Sequence, residues 1–149
     1  MTVQDILKSK GRDVFTIHVE AIVGDALKVL AEKKVGGLIV TDDRENIRGI
    51  VTERDIVRSC HGSQRNVKSL AVQDIMTARG KLIVGSPGDE IDYLMDVMTQ
   101  KRIRHIPIVD SRGTLCGIVS VGDIVKALLT HKDHEIKYLR DYIESKYPV

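Results

Sequence analysis

There is no tryptophan in this chain of 149 residues, and only one phenylalanine and four tyrosines, so its core must be built from aliphatic side chains. The same scarcity removes the stacked aromatic platform on which single-stranded nucleic acid is usually held. The two cysteines, Cys60 and Cys116, stand far apart with no CxxC spacing. They offer no disulfide framework and no zinc cluster, and are expected as reduced thiols in a reducing compartment. Neither sign of charge is in excess, with 23 basic against 21 acidic side chains interspersed along the chain. No block of charge is left to grip duplex DNA or an anionic membrane. No stretch approaches the ~20 apolar residues of a membrane span, and the opening Met1-Thr2-Val3-Gln4-Asp5 lacks the basic and apolar regions of a signal peptide. The expectation is a cytoplasmic protein that contacts neither membrane nor nucleic acid.

What the chain does have is itself, written twice. Val3-Gln4-Asp5-Ile6 recurs as Val72-Gln73-Asp74-Ile75, and Gly11 as Gly80, at an offset of 69; from Lys33 onward the offset is 68. One residue is therefore inserted in the first copy between Gly11 and Ala26. Residues 33–58 and 101–126 share nine identities, among them Asp42, Arg44, Gly49, Ile50, Val51 and Asp55, and seven further conservative pairs. Ordinary composition gives about one or two identities in 26 by chance. Repeat one is assigned to 3–69, repeat two to 70–130, and a helical extension to 131–149.

Each copy has the same rhythm. A short helix (Val3 to Lys8; Val72 to Thr77) precedes an extended segment (Val14 to Ile17; Leu82 to Val84). A helix follows with apolar residues at helical spacing: Ala26, Leu27, Leu30 and Ala31, then Leu94, Met95, Val97 and Met98. Two apolar strands flank an acidic turn, and the second runs straight into a helix at Asp55 or Asp123. The expected fold is α/β (α+β), β-α-β-β-α in each copy, with the two copies packed sheet to sheet about a pseudo-twofold axis.

Gly49-Ile50-Val51-Thr52-Glu53-Arg54-Asp55 and Gly117-Ile118-Val119-Ser120-Val121-Gly122-Asp123, with Arg104-His105-Ile106-Pro107-Ile108-Val109-Asp110 before the second, resemble a cystathionine β-synthase (CBS) domain pair, or Bateman module. The resemblance is to the stand-alone bacterial type and covers Val3 to about Thr130. It implies adenosine-nucleotide binding in clefts between the repeats, AMP first, with ADP, ATP or NAD(H) as alternatives. It implies a regulatory role without catalysis, and a homodimer that signals to a separate target protein.

The residues suit that ligand. A strand that turns into a helix points backbone N–H groups and the positive end of the helix dipole at an anion. Asp55 and Asp123 can accept hydrogen bonds from the cis hydroxyls of a ribose, and Thr52 and Ser120 can meet ribose or phosphate. Ser/Thr-x-x-Asp is equally a helix capping box that needs no ligand, worth ~1 kcal/mol. By the resemblance, His105 goes with Thr52 and Asp55, and Arg104 with Ser120 and Asp123. The alternatives are a neutral interior histidine and a solvated arginine. The counterparts of Arg104 and His105 are Gly36 and Gly37, which allow close backbone approach. Arg54 corresponds to Gly122 and Glu53 to Val121, so the second site is expected to be roomier and less charged. Ile83, Ile103 and Pro107 are candidate base contacts in the first site, Phe15 and Val35 in the second, though each serves equally well as core.

Other features are set aside. His131 and His134 have no third ligand and read as a solvated helix; Cys116 and the pair Asp92 and Asp96 suggest no chemistry. No Gly-rich phosphate loop, HExxH or GxSxG is present. The tail is different: Leu129, Ile136, Leu139 and Ile143 recur at helical spacing, with Tyr138 and Tyr142 alongside, and the stripe needs covering by this chain or a second one. A ligand-independent dimeric scaffold is the competing reading; an enzyme or nucleic-acid binder ranks below both.

Overall fold

The structure is a computed structural model and describes residues 1–11, 13–61 and 66–146. It divides into two compact units. Unit 1 comprises Met1–Arg12 and Gly85–Val149, and unit 2 is Asp13–Val84. The packing units are thus offset from the sequence repeats.

The offset arises because each repeat gives its first helix to the other unit. Helix α1 (Val3–Lys10) buries Val3, Ile6 and Leu7 in unit 1, against Ile91, Leu94, Met98, Ile106 and Ile108. The four-residue α4 (Val72–Ile75) buries Val72 in unit 2, where Ile75 and Met76 also pack. The backbone pins the two exchanges in the same way. The Val3 amide donates to Asp89 O at 2.9 Å and the Ile91 amide to Met1 O; the Val72 amide donates to Ala21 O at 2.9 Å and the Val23 amide to Leu70 O.

In unit 2, strands β1 (Thr16–His18), β2 (Gly37–Thr41), β3 (Ile47–Thr52) and β4 (Thr77–Ala78) form one sheet in that order. β1 is parallel to β2 and the other pairs are antiparallel. In unit 1, β5 (His105–Val109) and β6 (Leu115–Ser120) form an antiparallel hairpin. The expected strand at Leu82 to Val84 is absent: one parallel bridge from Gly85 to Ile108 stands where Ile17 meets Val40 in unit 2. Gly85 offers no side chain to pack on a strand, and a Cβ there would lie 3.0 Å from Ile108 Cδ1. Ile17 and Gly85 are 68 apart, which confines the inserted residue to between Gly11 and Ile17. The helix read as Val72 to Thr77 also ends early, at Ile75, because Thr77 pairs with Ile50 in the sheet.

The correspondences between copies now have physical reasons. α2 (Val23–Lys33) buries Val23, Ala26 and Leu30, and α5 (Ile91–Lys101) buries their counterparts Ile91, Leu94 and Met98. Both end on a residue in the left-handed region at φ 55°, Lys34 and Arg102, which turns the chain back toward its strand. Asp42 Oδ1 accepts the amides of Arg44 and Asn46, and Asp110 Oδ1 those of Arg112 and Thr114, which closes both hairpin turns. From each second strand the chain enters a helix: α3 (Glu53–Cys60) in unit 2, and the 26-residue α6 (Val121–Lys146) in unit 1. The extension is therefore a continuation of α6, and Tyr147 lies outside the described residues. Among the described residues no helix is long and apolar enough to cross a membrane.

Candidate functional site: two capped strand-to-helix junctions

The two strand-to-helix junctions share one geometry. In unit 2, the Thr52 amide donates to Asp55 Oδ2 at 2.9 Å, the Thr52 hydroxyl donates to the same oxygen at 3.1 Å, and the Asp55 amide donates back to Thr52 Oγ1 at 3.4 Å. In unit 1, the Ser120 amide donates to Asp123 Oδ2 at 2.8 Å and the Asp123 amide to Ser120 Oγ at 3.2 Å. The capping box is thus formed at both places, and in each it uses one carboxylate oxygen; Oδ1 takes no part in it. The next amide is also occupied, since Glu53 donates to Gly36 O and Val121 to Arg104 O, both at 3.0 Å.

One partner was not anticipated. Lys10 Nζ, from the last turn of α1, donates to Asp123 Oδ2 at 2.7 Å and to Ile118 O at 2.8 Å. Burial by itself pushes the Asp123 carboxyl up, but the Lys10 hydrogen bond and charge and the Ser120 bonds together outweigh it and hold the group below the usual carboxylate value. The sequence carried a faint signal for this: a cation precedes the repeated glycine in both copies, Lys10 before Gly11 and Arg79 before Gly80.

The remaining candidate residues sort by unit. In unit 2, Phe15 and Val35 are half-buried against the core, with Lys33 Nζ 5.3 Å from the Phe15 ring centre. Gly36 precedes β2, Arg54 lies half-buried in α3, and Ile83 is half-buried in the segment after β4. In unit 1, Ile103 packs on the core, Arg104 is exposed, and half-buried His105 pairs in register with Ser120. Pro107 is buried in β5, while Val121 and Gly122 begin α6. A cleft of about 320 Å³ also runs between α1 and α6; Asp123 lines it with Lys10, Lys126 and His134, and of the candidate residues it takes only Asp123. His131 and His134 are exposed, and His131 pairs with Glu135 at 3.2 Å. Among the described residues no cluster of metal-ligating side chains occurs.

The family model for the CBS domain matches residues 2–62 and 72–130, both copies of the repeat. The chain belongs to the CBS-domain family. As a CBS pair it is 36% identical over 152 residues to the mitochondrial CBS domain-containing protein CBSX3 of Arabidopsis thaliana, covering 98% of this chain and 73% of that protein. Among solved structures, a putative signal-transduction protein with CBS domains from Burkholderia ambifaria superposes with a TM-score of 0.81 at 41% identity, covering 87% of this chain and 95% of that one. CBSX2 in complex with AMP superposes with a TM-score of 0.70 at 29% identity, covering 88% and 98%. The likeness accounts for the shared junctions, since both signatures lie inside the matched segments.

Proposed function

We propose that this CBS pair is a non-catalytic regulatory module that binds an adenosine nucleotide, with AMP as the first candidate ahead of ADP, ATP and NAD(H). The observation that carries the reading is the matched pair of junctions. Each sets a Thr or Ser and an Asp at a strand-to-helix turn, with one carboxylate oxygen outside the capping box. Asp55 and Asp123 accept the ribose hydroxyls, Thr52 and Ser120 meet ribose or phosphate, and Arg54, Arg104 and His105 supply donors for the phosphate. The CBSX2 complex supports AMP in particular. The module acts as a homodimer whose shape a second protein reads, and the ligand shifts that shape only by its differential affinity for the two states.

A ligand-independent scaffold is the second reading, and one observation favours it: the box and Lys10 already satisfy Asp123 Oδ2 without any ligand. A thermal-shift series with AMP, ADP, ATP and NAD separates the two. At a ligand concentration of 100 times Kd, binding adds ~2.7 kcal/mol, a rise in Tm of roughly 5–10 °C for a chain of this size. No shift with any of the four at millimolar concentration would leave the scaffold.

A further inference from the structure

From Leu128 to Lys146 every residue of α6 is exposed, so the fold buries no side chain of this stretch. In proteins, helical stability comes mostly from packing an amphipathic face rather than from intrinsic propensity. That face is present. Val125, Leu129, Ile136, Leu139 and Ile143 are 43%, 59%, 49%, 56% and 56% exposed. Their spacings of 4, 7, 3 and 4 are those of a heptad seam: Leu129, Ile136 and Ile143 at a, Val125, Lys132 and Leu139 at d. At 100° per residue the seam lies opposite Asp123, Ala127, Thr130 and His134, which line the cleft against α1. α1 therefore leaves it uncovered.

We propose that the seam is covered by the same helix of a second copy of this chain, as a parallel, in-register, two-stranded coiled coil. The proposal rests on the homodimer reading and names its interface. Charge selects the partner and its direction. In parallel register Glu135, at g, meets Arg140 of the partner subunit, at e, and the reverse pair forms by symmetry. Lys132 at d faces its own copy but borders the partner's Asp133. The antiparallel arrangement with the longest apolar overlap sets Asp133 against the partner's Asp133, Glu135 against the partner's Glu135, and Lys126 against the partner's Arg140. Shifting the helices by one heptad to relieve those contacts leaves Leu129 opposite the partner's Lys146 in one direction and opposite the partner's Lys132 in the other. Only the parallel seam sets Val125, Leu129, Ile136, Leu139 and Ile143 each against its own copy while pairing opposite charges at its flank, and Lys132 is its one charged layer.

Sedimentation equilibrium on the full chain tests this. Wild type is expected as a dimer, and Ile136→Asp, at an exposed position that leaves the fold intact, is expected to raise the dimer Kd roughly tenfold or more. Glu135→Arg and Arg140→Glu should each weaken the dimer, and the double variant should restore it. In a Cys60→Ser, Cys116→Ser background, Ile136→Cys should oxidise to a disulfide-linked dimer, because facing a positions come within bridging distance. If Ile136→Asp dissociates no more readily than wild type, the seam is not the interface and the homodimer reading survives elsewhere. If the charge reversals do not compensate, or cross-linking requires one cysteine at 136 and another at 132 or 139, the helices are not parallel. A wild-type chain that stays monomeric overturns the seam and the homodimer together.

Discussion

Lys10 Nζ lies 2.7 Å from Asp123 Oδ2, joining residues 113 apart in sequence. The contact ties the last turn of α1 to the first turn of α6 and fastens the exchanged helix into unit 1. It also gives Asp123 a cation that is absent from the capping motif itself.

Lys10→Met keeps the aliphatic stem and removes both hydrogen bonds of the ammonium. The pair is neither buried nor fully exposed, with side-chain exposures of 31% for Lys10 and 23% for Asp123. The expected loss is about 1 kcal/mol, at the upper end for exposed pairs. Urea unfolding of the two proteins at pH 7 measures it; an unchanged midpoint would show that the contact contributes nothing.

The same contact sets a pH dependence. Asp123 titrates below its ordinary value of 3.8 in the folded chain. Its charged form is thus favoured by folding, and the stability it contributes is fully present above that value and lost as pH falls through the lower folded value. The gap in unfolding free energy between wild type and Asp123→Asn should be at its full size at pH 7 and should shrink as pH falls below the ordinary carboxylate value. A gap that widened on acidification would reverse the sign of the shift.

Gly117 approaches the exchanged helix closely, since a Cβ there would sit 2.7 Å from Leu7 Cδ2. Gly117→Ala is expected to destabilise by about 1–3 kcal/mol through overpacking, and Leu7→Ala by about 2–5 kcal/mol through the cavity it leaves. Combined, the two should cost less than their sum, because the truncated Leu7 makes room for the new methyl. Additive losses would mean that Leu7 does not pack on Gly117.

Much of this was legible before any coordinates. Helical spacing in α2 and α5, the paired hairpins and the helices after Thr52 and Ser120 are local patterns, and the duplication doubles each signal. The helix exchange was not, because Val3, Ile6 and Leu7 announce an apolar face without saying whose core receives it. The segment Leu82 to Val84 looked extended by composition, yet the strand there needed a neighbour that Gly85 could supply at one residue only. At the junctions, residue types offered the capping box, but Lys10 came from another element, and the cation repeated before Gly11 and Gly80 did not say which carboxylate it would meet. The exposed stripe on α6 was visible as a pattern, while its position opposite α1 required the structure.

Isothermal titration of AMP into the full chain, beside Asp55→Ala, Asp123→Ala and the double variant, tests the central claim most directly. Each variant is first shown to be folded by its urea transition, since the substitution also removes a cap worth ~1 kcal/mol. The account predicts saturable binding by wild type, weakened roughly tenfold or more where a carboxylate that receives ribose hydroxyls is lost, and no measurable heat from the double variant. Binding of undiminished affinity in the folded double variant would contradict it.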